Sequence, residues 1–154
     1  MNGQQPDQGK ESSLEGMLAS FENLRFAVLA TSDEGRPYTS LVAFALTSDR
    51  RTLIFATPRA TSKYRNIVGQ PAVSVLIDDR SQSAGDLSSA QAVTLLGFAR
   101  ELKSAAEKAR YRKVFVMKHP ELAAFIEASD TTLIAVSIKQ AVHVTRFKEV
   151  SHWP

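Results

Sequence analysis

Apolar positions recur along this chain in short runs that have the length and composition of β-strands. Six segments are rich in aliphatic and aromatic residues and are separated by turn-forming residues. They span residues 26–32, 38–47, 52–57, 72–78, 91–102 and 131–147. The sequences DEGRP (33–37) and SDRR (48–51) predict hairpin turns, so the first three strands are expected to form an antiparallel meander.

Several of these strands are apolar on both faces. Ala27 and Leu29 alternate with Val28 and Ala30, and the run LVAFAL at 41–46 contains no polar residue. An open sheet with one wet face would alternate apolar and polar residues. The pattern therefore predicts a sheet that closes on itself as a small barrel, with helices or a second subunit on its outer face.

Helices are expected to flank this sheet. The sequence SSLE at 12–15 is a capping box, and the apolar residues after it have helical spacing as far as Leu24. Further helices are predicted over 62–68, 104–118 and 120–128, with a second capping box from Ser104 to Glu107. Residues 79–90 are rich in Asp, Ser and Gly and predict a long loop.

Composition narrows the class of protein. The chain has 154 residues, 44% hydrophobic and 23% charged, which fits one globular domain. Residues 1–11 are polar and predict a disordered tail, so the domain is expected to span residues 12–154. The net charge of +3 is too small to indicate a nucleic-acid partner.

Several kinds of chemistry are excluded or disfavoured by residues that the sequence lacks. It contains no cysteine, which excludes disulfides and thiolate metal sites. There is no secretory signal or bilayer-length apolar run, so we expect a cytoplasmic protein with no membrane partner. The three histidines, at 119, 143 and 152, are not spaced as metal ligands. The GxSxG, Walker and GxGxxG motifs are also absent.

One stretch, LIFATPRATSKYRN at 53–66, indicates a binding site. It ends an apolar strand and gathers Arg59, Thr61, Ser62, Lys63 and Arg65 at a helix start. Helix N-termini present free N–H groups and a positive dipole end, so hydroxyls and a lysine there form a cradle for a phosphate. The alternative is a strand, a Thr61 N-cap and a solvated basic turn, which are common.

Three runs together resemble a known family. They are FAVLATSDEGRPYTSLVAFAL, LIFATPRATSKYRNIVGQPAVSVLID and QAVTLLGFARELK, the last with an interior glycine at Gly97. In their order and spacing they resemble the flavin-binding split-barrel proteins, the superfamily of pyridoxamine 5'-phosphate oxidase. The resemblance covers about residues 12–147. It implies a mainly β protein with α-helices, a six-stranded antiparallel split β-barrel with flanking helices.

The resemblance also implies a homodimer that holds FMN at its interface. The backbone of the second strand would lie along the isoalloxazine ring, and the residues concerned are Ser40, Leu41, Val42, Ala43 and Phe44. The phosphate would be held by Thr57, Ser62 and Lys63, with Thr61 and Arg59 as additional donors, and a glutamine contact falls at Gln91. The implied function is an FMN-dependent oxidoreductase acting on a small molecule, with no catalytic residue assigned.

The chain also departs from the vitamin B6 oxidase. That enzyme has an arginine and a lysine where this chain has Ser40 and Ala45, and an arginine at the position of Ser62. The C-terminal segment AVHVTRFKEVSHWP has no counterpart of the oxidase's substrate-binding tail, which argues against a B6 substrate. Two alternatives stay open: a deazaflavin-dependent reductase, suggested by Lys63, Arg65 and Asn66, and a non-catalytic flavin- or haem-binding protein.

Overall fold

A computed structural model describes residues 13–83 and 85–154 of the chain. The elements occur in the order α1 (Leu14–Leu18), β1 (Phe26–Asp33), β2 (Arg36–Ala43), β3 (Ala45–Leu46), β4 (Thr52–Pro58), α2 (Ser62–Gly69), β5 (Ala72–Asp78), β6 (Gln91–Glu101), α3 (Ala105–Lys118), α4 (Ala123–Glu127), β7 (Thr131–Thr145) and β8 (Glu149–Trp153). The tail predicted over residues 1–11 lies outside the described residues. Within the described ranges, no helix has the length and apolar character needed to cross a membrane.

All strand pairs are antiparallel, in the order β2-β1-β5-β6-β7-β4-β3. Since β2 and β3 are separated by Phe44 alone, they are two halves of one strand that pairs with β1 on one side and with β4 on the other. The sheet therefore curls into a barrel of six strands that is split between β2 and β4. The predicted fold class is confirmed, with β8 as an additional short strand on β7.

The inward side chains of the strands form the main core. Buried leucine, isoleucine, valine and phenylalanine side chains from α1 and from six of the strands, β1, β2 and β4–β7, pack together there, among them Leu29, Val42, Phe55 and Val75. Phe44 and Phe55 are fully buried. This core accounts for one of the two apolar faces in the sequence pattern.

Part of the outer face is covered by helices. Tyr111 and Phe115 of α3 pack on Ile54 of β4 and Leu133 of β7, with Ile126 of α4 at the margin. Ser104 caps α3 through a hydrogen bond from the Glu107 N–H at 3.1 Å, as predicted. The Glu107 carboxylate pairs with Arg100, so its side chain does not complete the capping box.

Local backbone geometry agrees with the turn predictions. Glu34 and Gly35 have φ values of 48° and 82°, which is the left-handed geometry of a two-residue hairpin between Asp33 and Arg36. In β6, a Cβ at Gly97 would lie 2.1 Å from the Ser137 carbonyl oxygen, where the β6–β7 register shifts. Only glycine fits at this approach of the two strands.

Some boundaries differ from the predictions. The capping box at 12–15 predicts its first serine as the cap of α1, but the cap is the next residue, Ser13. The helix ends at Leu18, because tighter three-residue turns carry the chain from there to Leu24. The helix predicted over 120–128 divides into a 3₁₀ turn, Pro120–Leu122, followed by α4. The strand predicted over 131–147 ends at Thr145, and the turn after it leads into β8.

Candidate functional site

The split between β2 and β4 exposes a strand edge. The Phe44 N–H donates to the Arg25 C=O at 3.2 Å, which marks a hydrogen-bonded pair of the β1–β2 ladder. Because such pairs alternate, the backbone groups of Thr39, Leu41 and Ala43 point away from β1. On the other side of the split, β4 pairs with β3 only at Leu53 and Ile54. Two free edges therefore face each other there.

Hydroxyl groups lie where β4 ends and α2 begins. Thr57 is buried, and its hydroxyl lies 3.0 Å from the Thr61 hydroxyl. The Thr61 oxygen accepts from the Tyr64 N–H at 3.3 Å, so Thr61 is the predicted N-cap of α2. Because they belong to the first turn of α2, the N–H groups of Ser62 and Lys63 have no intrahelical partner and can donate to an anion.

Lys63 supplies the positive charge of the cradle. Its side chain is half-buried, and among the described residues it makes no ion pair. The Ser62 hydroxyl accepts from the Arg65 guanidinium at 3.2 Å, which places a second cation beside it. The structure thus brings Thr57, Thr61, Ser62 and Lys63 together at one end of the split.

Arg59 is engaged elsewhere. Its Nε and NH2 atoms donate to Glu101 at 3.0 and 2.7 Å, and its NH1 donates to the Ser129 carbonyl at 3.3 Å. The hydrogen bond to Glu101 raises the pKa of Arg59, so the guanidinium stays charged but paired. Arg59 is therefore not available as an unpaired phosphate donor in this conformation.

Glu101 is the centre of a network that the sequence analysis missed. It also accepts from the Tyr64 hydroxyl at 2.7 Å and from Thr132 Oγ1 at 2.8 Å. Burial opposes its ionisation, but the hydrogen bonds from Tyr64, Arg59 and Thr132 hold the pKa of Glu101 below its usual value. The same carboxylate raises the pKa of Tyr64. The network ties α2 to β6 and β7 and so fixes the cradle against the barrel.

The side chains at 40–44 divide between the two faces of β2. Val42 and Phe44 are buried in the barrel, and the Ser40 hydroxyl is buried with no hydrogen-bond partner among the described residues. Leu41 points outward and is 64% exposed. This segment therefore offers backbone groups at the split and one unsatisfied hydroxyl beside them.

Gln91 lies apart from the cradle within the protomer. It begins β6, whereas Glu101 ends it beside Arg59, so the two residues are about 30 Å apart along the strand. The Gln91 Oε1 atom lies 3.0 Å from His143 Nε2, and its N–H donates to Asp79 at 2.6 Å. The structure does not bring Gln91 to the other predicted residues in one chain.

The outer face of β1, β2, β5 and β6 is apolar and bare. The register places Leu41, Val28 and Leu76 side by side across three strands. Phe26 and Phe98 on the same face are 58% and 52% exposed. A groove of about 370 Å³ beside Phe26 is also lined by Val28, Leu41 and Leu76. A contiguous apolar surface of this kind is typical of a protein interface.

The donor set at the start of α2 is of a kind that binds a phosphate group. A half-buried lysine with no ion pair among the described residues and the free helix N–H groups suit a phosphate dianion. The hydroxyls of Thr57 and Thr61 donate to the Pro58 carbonyl at 3.2 and 2.9 Å and would turn from it to bind the anion. The adjoining free edge presents the N–H and C=O groups that a flat heterocycle can bind. The buried, unpartnered Ser40 hydroxyl is a further polar group that a ligand at this edge could satisfy.

This fold and the split with its anion cradle define the class of split-barrel proteins. Comparison with protein families gives the same result: the model described as pyridoxamine 5'-phosphate oxidase matches residues 14–145. The chain belongs to the pyridoxamine 5'-phosphate oxidase family. No curated protein matches it significantly.

Solved structures share the fold. A haem-binding protein from Mycobacterium smegmatis superposes with a TM-score of 0.79 and 20% identity, over 92% of this chain and 58% of that one. An FAD-binding protein from Mesorhizobium loti has a TM-score of 0.67 and 19% identity, over 86% and 93%. HutZ, the haem storage protein from Vibrio cholerae, has a TM-score of 0.64 and 20% identity, over 83% and 92%. At these identities the likeness shows the fold alone.

Proposed function

We propose that the chain binds FMN at the split and acts as a flavin-dependent oxidoreductase. The observation that carries this proposal is the half-buried Lys63 without an ion-pair partner among the described residues, set beside Thr57 and Thr61 at the start of α2. Lys63, Ser62 and the two threonines hold the phosphate, because charge-assisted hydrogen bonds to a dianion are the strongest contacts available there.

The flavin ring lies along the free edge of β2. The backbone groups of Thr39, Leu41 and Ala43 bind its polar rim, and the segment 40–44 positions it. FMN supplies the hydride or electron transfer, and the chain binds and orients it. No side chain is assigned as an acid or base, and the substrate is an unidentified small molecule. The cytoplasmic location expected from the sequence stays a prediction.

The functional unit is a homodimer formed through the bare face. Burial of Phe26, Leu41 and Phe98 against a second copy removes their apolar surface from water. Leu41 belongs both to this face and to the ring-binding edge, so the interface adjoins the cofactor. Gln91 then belongs with the cradle of the other protomer, because it lies far from the cradle of its own.

Binding of FMN and of riboflavin, which lacks the phosphate, tests the cradle. The wild-type protein should bind FMN at least about tenfold more tightly than riboflavin, and Lys63→Ala should weaken FMN binding by about 1–3 kcal/mol while leaving riboflavin nearly unaffected. Flavin fluorescence quenching measures both affinities. Lys113→Ala, which removes an exposed lysine from α3, is the control.

The outcome separates the parts of the proposal. No FMN binding by the wild type at micromolar concentration refutes the cofactor assignment. Equal affinity of the wild type and Lys63→Ala for FMN shows that the cradle is misplaced. Oxidation of reduced nicotinamide cofactor no faster than with free FMN makes the protein a flavin binder without this activity.

Two other ligands have specific support. The names of two similar structures describe haem proteins, and His152 is exposed on β8 as an available imidazole. A deazaflavin has a longer anionic tail, and a groove of about 410 Å³ lined by Arg65 and Asn66 runs along α2. Competition of haemin and of a deazaflavin cofactor against bound FMN ranks the three ligands.

A further inference from the structure

We infer that His119 is a positioning residue for the ring-binding edge, because it holds the backbone of Phe44, where β2 and β3 divide. This inference rests on the proposed function. His119 follows α3 directly and is 1% exposed. Its Nε2 atom lies 2.7 Å from the Phe44 carbonyl oxygen. The carbonyl can only accept, so Nε2 carries the proton and donates.

The Phe44 carbonyl bonds to His119 and not to the neighbouring strand β1. Phe44 donates its N–H to the Arg25 C=O, but among the described residues no bond runs back from the Arg25 N–H to the Phe44 C=O. The last hydrogen-bonded pair of the ladder, Arg25 and Phe44, therefore has one of its two backbone hydrogen bonds. The strand leaves β1 at this carbonyl, and its next two residues pair with β4.

The end of α3 also contacts the Phe44 side chain. Lys118 Nζ lies 3.8 Å from the centroid of the Phe44 ring, and the His119 ring packs against Phe115 with centroids 4.9 Å apart. Phe115 in turn belongs to the cluster that fixes α3 to β3, β4 and β7. The helix is thus anchored to the β4 side of the split by apolar packing and to the β2 side by His119.

The helix α3 and the residue that follows it therefore contact both sides of the split and hold them at a fixed distance. The distance between the free edges depends on where the strand departs from β1, and His119 sets that point. Thr39, Leu41 and Ala43 are the residues whose backbone groups are positioned as a result. Among the described residues, the hydrogen bond of His119 goes to Phe44 and none goes to the phosphate cradle, so its effect on a bound flavin acts through Phe44.

Three variants separate positioning from general stability. His119→Leu removes the donor, and His119→Gln keeps an N–H donor near the place of Nε2. Tyr111→Leu lowers stability within the same cluster but keeps Phe115 and its contact with His119 in place. We expect about tenfold weaker FMN binding for His119→Leu, the scale of one lost hydrogen bond, and near wild-type binding for the other two. Urea unfolding reports the stability of each variant.

Hydrogen exchange in the ligand-free protein gives a readout that needs no flavin. The amides of Ser40, Val42 and Phe44, which lie in the hydrogen-bonded pairs with β1, should exchange faster in His119→Leu than in Tyr111→Leu or His119→Gln. Failure of the wild type to bind FMN refutes the proposed function and with it the positioning of a flavin. Equal FMN affinity of His119→Leu and the wild type, or equal loss in His119→Leu and Tyr111→Leu, overturns the inference alone. If His119→Leu does not fold, His119→Asn, whose shorter amide cannot reach Phe44, replaces it.

Discussion

The barrel has two apolar outer faces that differ in what covers them. Over β3, β4 and β7, the outward residues lie beneath α3 and α4, and Ile54 and Phe115 there are almost wholly inaccessible. Over β1, β2, β5 and β6, the outward residues face solvent, and Leu41 and Phe26 are more than half exposed. Both sets contain segments that are apolar on both faces, such as residues 27–30 of β1 and 53–56 of β4.

The difference shows that apolar outward positions serve two purposes in one sheet. On the covered face they bind the chain to its own helices and contribute to folding of the protomer. On the bare face they are largely exposed in the protomer, and the proposed dimer would bury them. The two faces meet at the split, since β2 belongs to one and β4 to the other, which puts the candidate site at their boundary.

The largest contrast is expected from truncating one aromatic side chain on each face. Phe115→Ala opens a cavity under α3 and should lower the free energy of unfolding by about 3–5 kcal/mol. Phe98→Ala should change it by less than about 0.5 kcal/mol when urea unfolding is extrapolated to dilute protein. Similar losses for both variants would show that the bare face already contributes to the stability of the protomer.

A charge on the bare face should break the dimer. Leu41→Asp places a carboxylate at the centre of the apolar surface and should raise the dimer dissociation constant by about 100-fold or more, with an unchanged circular dichroism spectrum. Met117→Asp introduces the same charge at an apolar side chain that is 79% exposed on α3 and serves as control. Sedimentation equilibrium decides. A monomeric wild-type protein at micromolar concentration would refute the homodimer.

A smaller effect is expected from pH, and it comes from two histidines that lie away from the bare face. Burial lowers the pKa of His119 and of His143 below the ordinary value of about 6.5. Such histidines take up protons on unfolding, so stability should fall as the pH drops below about 6.5 and level off beneath the folded-state pKa.

Variants of the two histidines apportion this pH dependence. Between pH 7.5 and 5.5, the free energy of unfolding measured with urea should fall less in His119→Gln than in the wild type. His143→Gln should remove another part of this fall. Neither histidine lies on the bare face. A pH dependence that is unchanged in both variants would assign it to other groups.

Local signals explain how much of the fold was predictable. The six strands follow from runs of apolar residues, and the caps at Ser13, Thr61 and Ser104 follow from a hydroxyl placed before a helical segment. The proximity of Thr57 to Thr61, Ser62 and Lys63 was predictable for the same reason, because the end of β4 and the start of α2 are adjacent in sequence. Each of these features can be predicted from a few neighbouring residues of the sequence.

Features that depend on distant residues were not predictable. The ion pair of Arg59 and Glu101 joins positions 42 residues apart. A single glutamate at the end of a strand does not predict such a pair. The break at Phe44 depends on His119, 75 residues further on. The sequence EVSHW becomes β8 only because β7 offers an edge there, since five mixed residues carry little strand signal of their own.

The crossing of β6 and β7 at Gly97 has a consequence for the evolution of this barrel. The Ser137 carbonyl oxygen occupies the space that a methyl group would need. In a saturation library selected for soluble folded protein, codon 97 should tolerate a single amino acid, whereas its neighbours Leu96 and Phe98, whose side chains are exposed, should accept many. Evolution of this strand is therefore expected to keep glycine at position 97. The packing of the protomer places little restriction on the residues at positions 96 and 98.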